Sequence, residues 1–372
     1  MSRPGSSRAW GAVGQRSAGF AIGRRLTAKE LDEVIQCHGR FLTAKPGGSR
    51  ALLANTNLAD LDIRRRILID ADFSGADLSG AKLAQSVLDR ATLYSANLSS
   101  CDARFASFKG ADLRGASLKG GNFSGANLES ADLRSAAMLR LARGGHYRRV
   151  IAEHEAGSSG VDFSDCNLNG ANFGGANLVD TSFRNAILTN VEFGRAVFSG
   201  VCLDGAIINS SDPSNLPFTA DELKNCLLDP GKKALERQDE LREKLRAHER
   251  WAASDGKSGE MMSLEDADLR VISSSMSGRQ LTAIKLARSI AVGVDFTDCQ
   301  LQGSDFELAD LRSANFKNAD LRGAIFKGAN LMHANFDGAK IGPLVLVSGV
   351  AQATDLTGAK VAKWQLEQAS RD

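Results

Sequence analysis

The sequence predicts a solenoid: a chain of stacked five-residue units that turns a corner once per unit and buries its apolar residues between neighbouring coils. Three observations predict it. From Ala309 to Leu331 the text ADLRSANFKNADLRGAIFKGANL sets Leu or Phe at every fifth position: Leu311, Phe316, Leu321, Phe326 and Leu331. Ala stands two before each of these centres, at Ala309, Ala314, Ala319, Ala324 and Ala329. Of the 17 Phe in the chain, 13 fall on such centres, which an inward role explains. A helix would smear a step of five around its surface, and a flat strand would send successive centres to opposite faces. A corner in every unit lets the centre and the small residue before it both point inward. Asp or Asn before the centre, then Ser, Arg or Lys, then Gly, Asn or Ser, are left to the outside. Units that bury a core only by stacking make a solenoid.

Units such as ADFSG, ADLSG, ADLRG, ANLES and ANFGG resemble the pentapeptide-repeat family. The resemblance implies an all-β solenoid, a right-handed four-sided β-helix with four pentapeptides per coil. Residues 20 apart then stack, so Phe296, Phe316 and Phe336 form one column and Phe306 and Phe326 the opposite one. Coils should lie ~4.8 Å apart, the ordinary strand spacing.

The elements follow in order. Residues 1–26 carry Arg3, Arg8, Arg16, Arg24 and Arg25 and no acid, and read as a disordered basic tail. Residues 27–48 read as an N-terminal capping helix, opened by the capping-box pair Thr27 and Glu30. The first repeat block, 49–140, has centres every five residues from Leu53 to Met138, with Ala103 undersized. Residues 141–160 break the pattern, and HYRRVIAEHE within them suggests a helical excursion. The second block, 161–208, keeps the phase, because Met138 to Phe163 is 25 residues. Residues 209–263 read as a helical insert and cap: a second Thr219–Glu222 capping box opens TADELKNCLL, and a charged helix follows with Leu235, Leu241, Leu245 and Trp251 as its apolar residues. The third block spans 264–362, and 363–372 is a tail over the last coil.

One layout occurs twice. His38, Arg40, Phe41, a Gly-containing turn, then Leu53 and Leu58 correspond after one gap to His248, Arg250, Trp251, a Gly-containing turn, then Leu264 and Leu269. The chain reads as helix plus solenoid written twice, each helix hiding the apolar end and open edge of a first coil.

For chemistry the sequence offers little. Net charge is +2, which points to neither a nucleic-acid binder nor an acidic mimic. Cys37, Cys101, Cys166, Cys202, Cys226 and Cys299 form no CxxC pair, and those two before a centre read as small buried residues. No phosphate loop, GxSxG or HExxH is present. The Asp residues before centres recur too regularly to be catalytic acids. His146 and His154 lie eight apart, too far for a metal pair on a helix, and His38 and His248 read as packing residues beside their turns. Arg64, Arg65 and Arg66 form a local basic cluster, either a solvated corner or a seat for phosphate or an acidic partner.

The reading is therefore not an enzyme, with no catalytic, cofactor or metal residues and no cofactor. It is a cytoplasmic scaffold for protein–protein interaction whose partner the sequence does not name. No membrane partner is expected, direct nucleic-acid binding is disfavoured, and the helical segments and solenoid ends are open to homo-oligomerisation. The resemblance also implies an alternative, a DNA-mimicking protein that binds a topoisomerase such as DNA gyrase. Residues 56–140, 161–208 and 281–361 together hold 23 acidic and 21 basic residues, far from a duplex with one charge per ~1.7 Å.

Overall fold

A computed structural model of the chain describes residues 20–135, 137–141, 147–151, 158–209, 216–346, 348–367 and 369–370. Its backbone is a four-sided coil. Residues before the centres pair in parallel with residues 20 further on, in four ladders that start at Leu52–Asp72, Asn57–Asp77, Asp62–Lys82 and Ile67–Val87. Each unit turns on its last residue, which adopts the left-handed conformation, as Gly at Gly75 and Gly80 or as Asn, Asp and Ser at Asn55, Asp60 and Ser95. The centres within the blocks are buried, as are most alanines two before them, while Phe198, Ile341, Leu356 and Val361 near the ends are half-buried.

Blocks one and two share one core, from Leu26 to Leu223. Where the pattern breaks, the ladder jumps 40 residues, Asn122 pairing with Asp162 and Asp132 with Asn172. The Phe123 and Phe163 rings then meet with centroids 5.6 Å apart. The excursion itself departs from the helical reading. Strands β1 (Ala137–Leu141) and β2 (Tyr147–Ile151) pair as an antiparallel hairpin. Met138, read as a centre, pairs with Val150 in this hairpin instead. Pairing satisfies both backbones, and Gly144-Gly145 between the strands was a sequence-level hairpin signal. Residues 142–146 and 152–157 of the excursion, with His146 and His154, lie outside the described residues.

The tail reading needs a second correction. Residues 1–19 lie outside the described part, but 20–26 belong to the fold. Arg25 pairs with Asn57, and Leu26 is buried in the core. Helix α1 (Ala28–Leu42) follows, with both halves of its Thr27–Glu30 capping box formed. The reading of TADELKNCLL as a helix is also too long. Helix α2 is only Ala220–Leu223, after which Leu227 pairs with Ile207 as a last rung of the first solenoid. Phe218 and Leu223 cover that end. The short helix α3 (Lys232–Glu236) leads into α4 (Gln238–Ala253). Leu241 and Leu245 of α4 join a second core that runs to Ala339, whereas Leu235 is exposed. The segment read as one cap thus closes two ends, its first part the first solenoid and α4 the second.

The second solenoid starts irregularly. Its first rungs, Ser263–Lys285 and Asp268–Ile290, span 22 residues because a 3-10 turn at Leu269–Ser275 bulges from the coil. Then the step settles at 20. The Phe columns form as the 20-residue stack requires: Phe296, Phe316 and Phe336 lie parallel at 5.1 and 5.4 Å, and Phe306 and Phe326 at 5.0 Å. Phe306 meets Phe296 and Phe316 edge-on at 5.8 Å, and Phe326 meets Phe316 so at 5.9 Å. A short hairpin, β3 (Leu344–Val345) with β4 (Ala351–Gln352), interrupts the last coil, and the ladder resumes 30 residues on at Ile325–Asp355. Gln365 of the tail is buried and its amide donates to the carbonyls of Leu331 and Ala334.

The two solenoids lie side by side and antiparallel. His333 Nε2 reaches the Asp165 carbonyl at 2.7 Å, while Arg312 donates to the carbonyls of Asn185 and Gly205 at 2.9 and 2.7 Å. Rising through the first solenoid therefore means descending the second.

Candidate interaction surface

The repeated carboxylates serve the fold. Asp112 accepts the backbone N–H of Arg114, two residues on, and its carboxylate takes the Arg114 guanidinium at 2.7 Å. The same corner forms at Asp62–Arg64, Asp132–Arg134, Asp268–Arg270, Asp310–Arg312 and Asp320–Arg322. Beside Arg64, Asp62 is held down to about 2, and Arg322 lowers Asp320 against the opposing effect of burial. Not all of these face water: Asp320 is buried, because the β3–β4 hairpin lies over the neighbouring corner, Gln352 donating to the Gly323 carbonyl.

The histidines of the duplicated layout do one job. His38 Nδ1 accepts the N–H of Ala51 and His248 Nδ1 that of Met262, each at 3.1 Å and each two before the first centre of a solenoid. Gly48 and Gly259 also correspond: a Cβ at either would collide with the backbone nitrogen of Phe41 or Trp251. Burial lowers both histidines below the usual imidazole value. These are structural parts, as are the thiols. Burial pushes Cys101 up to about 12 and Cys299 and Cys226 to about 11, so they stay protonated. Among the described residues no group of three or more His, Cys, Asp or Glu is placed to hold a metal ion, and no helix is long and apolar enough to cross a membrane.

The basic cluster lies in a groove of about 690 Å³ between α1 and the first solenoid. Arg64, Arg65, Arg66 and Arg104 line it with Asp32, Asp62, Asp102 and Phe105, and Asp62 and Asp102 pair with Arg64 and Arg104. Arg66 pairs with Asp32 of α1 at 2.7 Å, and Arg65 Nε donates to Gln85 at 2.8 Å. Phe105 is exposed, and it occupies a corner position with φ +57°, where Gly is commonest and where Leu308 sets a second large apolar side chain. A bulky side chain there costs roughly 1 kcal/mol in backbone strain. Ile67 is exposed next to the cluster. The sequence reading named the three arginines but not Phe105 or Asp32. Phe105 was visible as one of the four Phe off the centres; the approach of Asp32 from α1 was not visible.

The family described as Pentapeptide repeats matches in eight copies, at residues 49–83, 71–104, 106–138, 159–193, 176–212, 280–318, 292–328 and 309–341, together more than half of the chain. No curated protein matches it. Among solved structures, the chain is similar to HetL, a pentapeptide repeat protein involved in heterocyst differentiation regulation from the cyanobacterium Nostoc. Identity is 21%, over 84% of this chain and 98% of HetL, with a TM-score of 0.32. A second Nostoc pentapeptide repeat protein is 26% identical over 39% of this chain and 100% of its own, with a TM-score of 0.26. Trypsin-treated QnrB1, a plasmid-mediated fluoroquinolone resistance protein, is 14% identical over 85% of this chain and 93% of its own, with a TM-score of 0.20.

Proposed function

Because the chain belongs to the pentapeptide-repeat family, whose members are right-handed β-helices, we propose that it is a non-enzymatic scaffold that binds another protein through the groove beside α1. The observation that carries this reading is Phe105. It holds an aromatic ring at a strained corner, exposed, among four guanidinium groups. The ring lies over Gly125 of the next coil and still keeps an exposed face, which gives an interface an aromatic anchor with arginines around it, the residue types that dominate binding energy. The partner segment fitting such a groove carries an apolar side chain for Phe105 and one carboxylate for Arg65, which bonds the neutral Gln85 while the other three arginines hold aspartates of the groove. Six free cysteines suit a reducing compartment such as the cytoplasm. The DNA-mimicking alternative is the weaker one, since the Asp of every ADLR unit is paired with its own Arg.

The test is Phe105→Gly. It installs the preferred corner residue, so the thermal midpoint should stay or rise. Affinity capture from native cells should lose one or more proteins that wild type retains and that bind the purified wild-type chain directly. Identical captures by both chains would refute the groove as the interface.

A further inference from the structure

We propose that a small basic pocket in the second cap, between α4 and the 3-10 turn at Leu269–Ser275, binds a phosphate-class oxyanion. This site is separate from the groove beside α1 and does not depend on the scaffold reading. The pocket encloses about 210 Å³ and is lined by Arg242, Leu245, Arg246, Ser275 and Arg279. Three guanidinium groups converge on it, and no carboxylate is among the lining residues.

The acids that accompany these arginines sit to the side. Arg242 touches Asp239 at 3.4 Å, and Arg246 pairs with Glu243; both are solvent-exposed contacts one helical turn away. Exposed pairs of this kind hold little free energy, so they yield readily to a better-placed anion. Arg279 is anchored differently. Its Nη1 meets Glu249 at 2.6 Å and its Nε donates to the Ser275 carbonyl, which fixes the guanidinium plane at the pocket wall. A fixed guanidinium plane with two adaptable ones is a good seat for phosphate oxygens, which accept forked, charge-assisted bonds.

The internal duplication separates this feature from the cap's structural duty. Aligned on His38 and His248, α1 carries Asp32 and Gln36 where α4 carries Arg242 and Arg246. Both helices seat their histidine on the first solenoid N–H with the same 3.1 Å bond. Capping therefore does not require arginine at either position. The second copy has acquired two positive charges facing a concavity that a third arginine completes.

The experiment is calorimetric titration of the full-length chain with inorganic phosphate, against chloride at matched ionic strength. Saturable binding to one site is expected. The double variant Arg242→Asp/Arg246→Gln installs the residues of the first cap and should weaken phosphate at least tenfold with an unchanged melting midpoint. Arg279→Lys keeps the charge but loses the fork, and should weaken it as well. Arg134→Gln, which removes a guanidinium from a face of the first solenoid, should leave affinity unchanged. Glycerol phosphate is titrated in parallel: equal affinity assigns the pocket to a phosphoryl group on a larger molecule, and much weaker affinity to the free ion. Absence of saturable phosphate binding by wild type, or equal binding by Arg279→Lys and the double variant, would overturn the proposal.

Discussion

Removing one ring from the second solenoid tests the column argument most directly. Phe316 is fully buried at the middle of its stack, parallel to Phe296 and Phe336 at 5.1 and 5.4 Å and edge-on to Phe306 and Phe326 at 5.8 and 5.9 Å. Phe→Ala in a packed core costs about 3–5 kcal/mol. Each aromatic pair adds about 0.5–1.5 kcal/mol beyond its buried area, and four such pairs end here. Phe316→Ala should therefore lie near the upper end, about 5 kcal/mol. That is a large share of the 5–15 kcal/mol that holds an ordinary domain, so the second solenoid should unfold first. The chain supplies its own reporter. Trp251 lies in α4 at one end of that solenoid and Trp364 in the 3-10 turn Lys363–Leu366 at the other, while described residues 20–209 contain no Trp. With the third tryptophan, Trp10, replaced by Phe, urea unfolding followed by tryptophan fluorescence reads the second solenoid, and circular dichroism reads both. The fluorescence midpoint should fall far below the dichroism midpoint of the remaining structure. Asp337→Ala, at an exposed position of the same solenoid, should change stability by less than about 0.5 kcal/mol. A loss under about 1 kcal/mol for Phe316→Ala would refute the reasoning, because no inward ring with four neighbours can be that cheap to remove.

Two further outcomes follow from the structure. Asp320 and Asp62 make the same corner bonds, but their side chains are 4% and 49% exposed, so Asp320→Ala should cost about 1–3 kcal/mol and Asp62→Ala under about 1 kcal/mol; equal midpoint shifts in urea would deny burial its part. The cap histidines should make the protein sensitive to acid, because Nδ1 of His248 accepts an N–H and burial lowers its pKa, so the neutral form is the folded one. That contribution is fully present above the unfolded value of about 6.5, declines as pH falls below it, and is gone once pH passes the folded value. The urea midpoint read by Trp251, whose ring lies 5.4 Å from His248, should drop across this window and drop less in His248→Gln; the same slope in both would remove the histidine from the account.

Much of this was legible in the chain because a five-residue unit is a local object. The centre, the small residue two before it and the left-handed corner two after it are set within one unit, and stacking at 20 residues follows from four units per coil. The duplicated cap was legible for a similar reason: His and aromatic keep their spacing, and Gly follows in the same order after one gap. The hairpin at β1–β2 was missed because YRRVI is compatible with either a helix or a strand, and only a partner strand decides between them. The groove was half legible, its arginines adjacent in sequence but its Asp32 wall delivered by α1 from more than 30 residues away.

The tetrapeptide ADLR marks the boundary between what the sequence determines and what it does not. It occurs at Ala111, Ala131, Ala267, Ala309 and Ala319, and each time the Asp and Arg pair across one corner. That much the four residues determine by themselves, since carboxylate, backbone N–H and guanidinium all lie within three positions. Yet the Arg134 side chain is 48% exposed and that of Arg312 only 6%. Arg312 holds the second solenoid to carbonyls of Asn185 and Gly205, more than 100 residues earlier in the chain. Stacked units offer nearly interchangeable faces, so what covers a given face depends on how two finished coils meet, and no spacing within a unit encodes that.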